Sequence, residues 1–504
     1  MTFKHVRFVG AAGLMAVAAA GCSHIPSIGP DYEEPQYDVP AYLLPDAGLP
    51  TTNLTAGCEF RPAEQKDDTR KAITRESSVQ WWKNFGDPVL NTLVEGGVSN
   101  NIGFLMAQRR LEQADYELLG SYANYLPKFG VGASWTRRWN SLNTSSGKNT
   151  YNIRDFAVDG SWEIDIFGGN RRLCESALAE AEAQGWTVAD AWLSLTTQIG
   201  VRYVNLRTTQ ALIDVARTNL VLQSETYDIL KSRLDSGIGD ELAVNQCAYI
   251  VEQTRARIPT LLAQEEACKN DLTILAGEMP GALHEFLKPV EDGRYQMLLP
   301  QQKVEDLRLD LIRGRPDVRI AERRLAAQTA RIGVAEAAWF PKLYVTGTLG
   351  WQNKSSTRLF SRDSFLASLG PSVSWPIFQG GAIYARVKAE EAKMAELALG
   401  YELAVESAYG EVRTAYSAYS QEHHRYQSLR GAVKAATDAV AISQDLYKNG
   451  LRDFNNVLDA QRSRLQFEEA YVGSRGEISI DLIRLYKSLG GGLNYDYEKK
   501  EEMK

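Results

Sequence analysis

Hydrophobic and polar positions alternate in two widely separated stretches of this chain, and each alternation begins where a proline stops a helix. In "WFPKLYVTGTLGW" (339–351), Leu343, Val345, Gly347, Leu349 and Trp351 fall on one side, and Tyr344, Thr346, Thr348 and Gly350 on the other. "NYLPKFGVGASW" (124–135) has the same form. Each opening strand is followed by a polar loop, "NSLNTSSGKNTYN" or "QNKSSTRLFSRD", and then by a returning strand. In the first return, Phe156, Val158, Gly160, Trp162, Ile164 and Ile166 alternate with Ala157, Asp159, Ser161, Glu163 and Asp165. In the second, Phe365, Ala367, Leu369, Val373, Trp375 and Ile377 alternate with Ser368, Gly370, Ser372 and Ser374.

The helical pattern is longer. Helices of about 24 residues are predicted over 101–124 and 315–338, each closed by its proline. After the returning strands, Gly168-Gly169 and Gly380-Gly381 free the backbone to turn into helix, and no proline interrupts 170–234 or 382–449. Return helices of about 35 residues are predicted after turns at Gly237 and Gly450. A short helix stacked on a return helix nearly matches a long one, which predicts a wall of uniform height. The long helices carry small residues on more than one face (Ala385, Ala389, Ala392 and Ala395, for example), as a helix with two close neighbours needs.

These landmarks recur at one offset. Pro127 and Pro341 lie 214 residues apart, as do Arg110 and Arg324; Gly168 and Gly380 lie 212 apart, and Gly237 and Gly450 lie 213 apart. So long a period excludes a small solenoid repeat and implies two copies of one large unit. Each copy supplies one hairpin, apolar on one side and acidic or serine-rich on the other. A sandwich would need more strands than two hairpins, whereas lipid outside and water inside fits both faces, with Trp135, Trp162, Trp351 and Trp375 as candidate interfacial aromatics. Four strands cannot close a barrel, and lipid forbids an open edge, so several chains must pool their strands.

Composition narrows the picture further. The 504 residues carry a net charge of −7, which argues against a nucleic-acid partner. No run of eighteen apolar residues follows residue 21, so no transmembrane helix is expected, and a barrel would not register in such a scan. Lys4 and Arg7 precede an apolar, Ala-rich run that ends in "AAGCS". The pattern reads as a signal peptide and resembles a bacterial lipobox, although Ala19 stands where Leu is usual; the resemblance implies cleavage before Cys22 and lipid on its thiol and amine. Signal-peptidase cleavage after Ala20, with Cys22 unmodified, is the alternative. Cys58, Cys174, Cys247 and Cys268 form no C-x-x-C pair and are expected to be packing residues. No H-E-x-x-H, G-x-S-x-G or P-loop motif is present, and His423-His424 reads as a solvated helix face, so neither an enzyme, a metal site nor a cofactor is expected.

The pieces "WWKNFGDPVLNTLV" (81–94), "RGRPDVRIAERRL" (313–325), "FPK" (340–342), "FQGG" (378–381), "LYKNGLRDFNNVLDAQRSRL" (446–465) and "IDLIRLYKSLGGGL" (480–493) together resemble the outer-membrane efflux factors, the TolC/OprM-type, NodT-like channels. The resemblance implies a mainly α fold with a membrane β-barrel: long helical hairpins forming a periplasmic tunnel, and four strands per protomer in a 12-stranded trimeric barrel. It implies a passive exit duct exporting small molecules such as drugs, docked on a periplasmic adaptor (membrane fusion) protein and an inner-membrane pump, with protein secretion or metal-ion efflux as alternatives. A periplasmic coiled-coil scaffold without a pore is the rival from another class. It further implies a periplasmic gate carried by Tyr447, Asp459 and Arg462, although Asn455 and Asn456 stand where relatives often carry an apolar residue. The expected organisation is a signal peptide (1–21), a lipidated extended segment (22–85), two repeats (86–285 and 300–490) and a tail (491–504). Residues 50–76 read as an irregular insertion.

Overall fold

Glycine or proline marks most of the corners of this chain, although Pro259 lies inside a helix and Pro371 inside a strand. The structure is a computed structural model, and the residues it describes are 27–35, 71–72, 79–139, 141, 150–289, 302–303 and 310–492. Cys22, Cys58, the signal-peptide pattern, most of the 50–76 segment and most of the first hairpin loop lie outside them. Lys71–Ala72 pair in parallel with Gln302–Lys303.

Helix α1 (Pro88–Asn100) starts at Asp87, whose carboxylate accepts from the amides of Val89 and Leu90. Helix α2 (Ile102–Tyr122) then leads through a short 3-10 turn to strand β1 (Lys128–Trp139), and β2 (Thr150–Ile164) returns. The long helix α3 (Gly169–Asp235) and the return helix α4 (Glu241–Leu275) complete the first copy. The second repeats the order: α5 (Pro316–Ala337), β3 (Lys342–Asn353), β4 (Phe365–Ser374), α6 (Ala382–Lys448) and α7 (Phe454–Ser488). The long helices have 67 residues each, about 100 Å at 1.5 Å per residue, and the return helices have 35 each.

Two expectations need correction. The short helices have 21 and 22 residues rather than about 24, because tighter turns take up the residues before each proline. The returning strands stop at Ile164 and Ser374, so Ile166 and Ile377 lie beyond them. Pro376 has no amide to extend β4, and the Ile166 amide turns back onto the carbonyl of Ile164. The corner glycines behave as expected, with positive φ at Gly168 (79°), Gly380 (59°) and Gly381 (88°).

The described chain divides into two compact units: one from residues within 1–36, 111–184 and 320–401, the other from residues within 37–110, 185–319 and 402–504. The first holds a four-stranded antiparallel sheet in the order β1-β2-β3-β4, with β1 and β4 as its edges. In the second, Trp81 is fully buried, edge-on to Trp82 and Phe85 and stacked at 6.1 Å on Tyr486. A side chain at Gly200 would strike the Trp81 ring, so the "WWKNF" segment seats on α3 at a position only glycine leaves open. Beside it the Tyr203 hydroxyl donates to Asp87 (2.6 Å) and accepts from Arg207 (2.9 Å).

The second unit also shows how a return helix meets the next short helix. Asn101 Nδ2 donates to the carbonyl of Leu275 at 3.1 Å, tying the end of α4 to the start of α2. The corresponding bond in the second copy runs from Arg315 Nη1 to the carbonyl of Ser488, 2.6 Å, at the end of α7. Asn101 and Arg315 are 214 residues apart, and Leu275 and Ser488 are 213 apart. The duplication therefore reaches a single hydrogen bond, made by an amide in one copy and a guanidinium in the other.

Candidate channel wall and gate

The sheet sorts its residues by chemistry. Across the register, Val131, Val158, Leu349 and Ala367 align in one row and Ala133, Phe156, Trp351 and Phe365 in the next. Between Phe129 and Leu369 the row passes through Gly160 and Gly347, and the Phe129 ring and the Leu369 side chain lie over those glycines. The result is one apolar face four strands wide, and it stays open: Phe129, Val131 and Leu369 are each at least 70% exposed. On the other face Asp155, Asp159, Glu163, Thr346, Thr348 and Ser368 share the rows. There Thr348 donates to Asp159 (2.7 Å) and Lys342 pairs with Glu163 (3.2 Å).

The four candidate tryptophans separate into two levels. Trp162 and Trp375 stand at the helix end, where each indole N–H donates to the last turn of a short-helix segment: Trp162 to Tyr125 O (2.9 Å), Trp375 to Trp339 O (3.0 Å). Trp135 and Trp351 stand at the loop end, where Trp351 meets Phe156, Phe360 and Phe365 at 5.7–6.3 Å between ring centres. Two aromatic girdles with an apolar band between them are the arrangement that a lipid bilayer selects.

The segment before the sheet is tied to the same unit. Arg172, almost wholly buried, donates to the carbonyls of Ile28 (3.1 Å) and Gly29 (3.0 Å) and to Asp31 (2.7 Å). Gly29 comes so close to Gly333 that a Cβ on it would lie 2.4 Å from the Gly333 Cα. Tyr32 donates to Glu322 at 2.8 Å, with the Arg323 guanidinium over its ring. Burial, reinforced by the Glu322 bond, pushes the Tyr32 phenol far up, so it stays a donor.

Of the three expected gate residues, the structure brings two together. Asp459 and Arg462 form an i,i+3 pair at 3.7 Å, with the Asp459 side chain 77% exposed. Arg462 also hydrogen-bonds the Tyr249 hydroxyl and lies 5.4 Å over the Tyr249 ring. Tyr447 packs elsewhere, edge-on to Phe454 at 5.2 Å, with Arg233 5.4 Å over its ring. It joins an apolar cluster of Leu230, Val244, Cys247, Ile250, Phe454 and Val457 beneath the two tip turns. Burial pushes the Cys247 thiol up to about 11, which leaves it a neutral packing group. Cys174, Cys247 and Cys268 are free thiols. Among the described residues no cluster of three His, Cys, Asp or Glu could hold a metal ion, and no helix is long and apolar enough to cross a membrane.

Sequence reasoning missed Tyr249 and Arg233. Tyr249 was within reach, because it lies 213 residues before Arg462 and so occupies the same place in the first copy.

Comparison with known proteins places these features. The profile of the family described as "Outer membrane efflux protein" matches residues 93–278 and 308–491. Nodulation protein T of Rhizobium leguminosarum bv. viciae is 30% identical over 82% of this chain and 84% of its own length. The toluene efflux pump outer membrane protein TtgF of Pseudomonas putida is 28% identical over 95% of both chains. Among solved structures, the outer-membrane channel OprN is 30% identical, covers 92% of this chain and 99% of its own, and superposes with a TM-score of 0.79.

Proposed function

This chain belongs to the outer membrane efflux protein family, and on that premise we propose that three copies form the exit duct of a tripartite efflux system. It is an outer-membrane channel of efflux type. The finer reading adds a periplasmic adaptor, an inner-membrane pump that supplies the energy, and small molecules as cargo. It also adds lipid on Cys22 and a gate that includes Asp459, Arg462 and Tyr447.

The observation that carries this reading is the sheet, with an uncovered apolar face, a polar face behind it and two free edges. Lipid can cover the first, water the second, and only other copies the third. The helices next to the edges agree. Helix α2, which leads into β1, leaves Ile102, Met106, Tyr116 and Leu119 exposed, and α6, which follows β4, leaves Leu399 and Leu403 exposed. An edge-to-edge ring would join β1 and α2 of one copy to β4 and α6 of the next, a head-to-tail contact that closes by rotation. Cys22 fits as an anchor. It precedes Ser27, which touches the Gly168 corner where β2 becomes α3, by five positions, and five positions of chain span at most about 18 Å.

The test is reconstitution of the purified protein in a planar lipid bilayer. Discrete ion-conducting steps are expected, and a protein that needs no detergent and gives no conductance would favour the pore-free scaffold.

A further inference from the structure

The lipid-facing side of β1 and β2 has two arginines near the loop end, and this carries an inference that rests on the membrane reading above. Arg154 shares its register with Trp135, and Arg137 is opposite Asn152. The two arginines are therefore diagonal neighbours on the apolar side, roughly 7–8 Å apart at Cβ. Arg137 is spread over the Trp139 ring at 5.4 Å, and Arg154 gives one N–H to the carbonyl of Lys354 at 2.9 Å. Among the described residues neither is paired with a carboxylate. The acids of the sheet, Asp155, Asp159 and Glu163, occupy the opposite face.

Height decides what these cations meet. Eight residues separate Trp162 from Arg154 along β2, about 27 Å of strand, or about 20 Å across the membrane at ordinary barrel tilt. The guanidiniums thus sit at the headgroup level of the leaflet farther from the helices, Arg154 level with Trp135 and both beyond the Phe156–Trp351 row. We propose that Arg137 and Arg154 bind the phosphate of an acidic glycolipid headgroup in the outer leaflet, with its acyl chains against the aromatic rows below. Two planar forks with unused N–H donors match phosphate oxygens in a way that a lysine point charge does not.

The experiment is native mass spectrometry of the purified full-length protein in detergent, with diphosphorylated lipid A, its dephosphorylated form, or inorganic phosphate. The unmutated protein should retain the diphosphorylated lipid. R137Q/R154Q should weaken retention roughly thirtyfold, about fivefold for each cation near a headgroup surface. R137K/R154K should recover part of that loss, and R138Q, on the same strand but facing the other side, should behave as the unmutated protein. Circular dichroism checks that each variant folds. Equal retention of both lipids, an equal loss in R138Q, or displacement of the lipid by millimolar inorganic phosphate would overturn the headgroup site alone. No retention of either lipid by the unmutated protein would overturn the membrane reading with it.

Discussion

Asp459 and Arg462 stand one helical turn apart on α7, and within a single chain their 3.7 Å contact is a surface pair worth a few tenths of a kcal/mol. A three-fold axis changes that value. It would gather three exposed carboxylates around one opening, and the nearest cations are the three Arg462 side chains, each steadied by Tyr249. An i,i+3 pair within one helix survives in either state, so the closed form is favoured only by the attraction of each Arg462 for the carboxylates of the other copies. A few tenths of a kcal/mol at each of three sites, about 1 kcal/mol in all, shifts the ratio of open to closed about five- to tenfold. Asp459→Ala with Arg462→Ala should raise conductance or open probability in planar bilayers by that order, and Tyr249→Phe, which deletes only the hydroxyl, should do less. Unchanged conductance from an intact trimer would place the gate elsewhere. Tyr447 is placed differently, since its ring meets Phe454 and Arg233 and so bridges the two tip turns. At the other end of the sequence, Cys22→Ser should abolish incorporation of labelled palmitate into the mature protein. Label that persists in the variant would mean that the "AAGCS" pattern is not a lipidation signal.

At the scale of elements, helix lengths were legible because their ends are written locally, in proline before each outgoing strand and glycine at each corner. The joints between helices were not. Asn101 finds Leu275, and Arg315 finds Ser488, over 170 residues away in sequence, and nothing near either residue announces the partner. The same holds for Gly29, whose close approach to Gly333, over 300 residues away, nothing nearby in the sequence announces. Strand ends were overrun because alternation continues through Ile166 and Ile377 after the backbone has left the sheet. The two joints also differ in strength. The Arg315 side chain is 7% exposed and binds Asp317 and Glu411 as well as Ser488. Its removal leaves two carboxylates without their cation and a helix end without its donor. Because Asp317 and Glu411 are themselves partly exposed and can be rehydrated, Arg315→Ala should cost about 2–3 kcal/mol, seen as a lower melting temperature in detergent. Asn101→Ala, the loss of a neutral bond, should cost about 1 kcal/mol. Equal costs at the two sites would show that the guanidinium is replaceable by any donor.

For the whole molecule, the proposed number of copies rests on what the barrel would have to contain. Each chain brings four strands in an open sheet. Two chains would make eight, and an eight-stranded barrel is just wide enough for its own side chains to fill. Three make twelve, the first count that leaves room for water beside the acids and hydroxyls of the polar face. The edges give the same answer, since one uncapped β1 or β4 in hydrocarbon leaves a row of unpaired amides and carbonyls, each costing several kcal/mol. Barrel closure and assembly are then one event, and no folded membrane-inserted monomer should precede the trimer. The mass of the detergent-solubilised particle, with the detergent contribution subtracted, should equal three chains, and dilution should yield unfolded or aggregated protein rather than monomers that keep their strand signal in circular dichroism. A monomer or a dimer with full strand content would mean that the sheet closes in some other way, and the duct would then need a different wall.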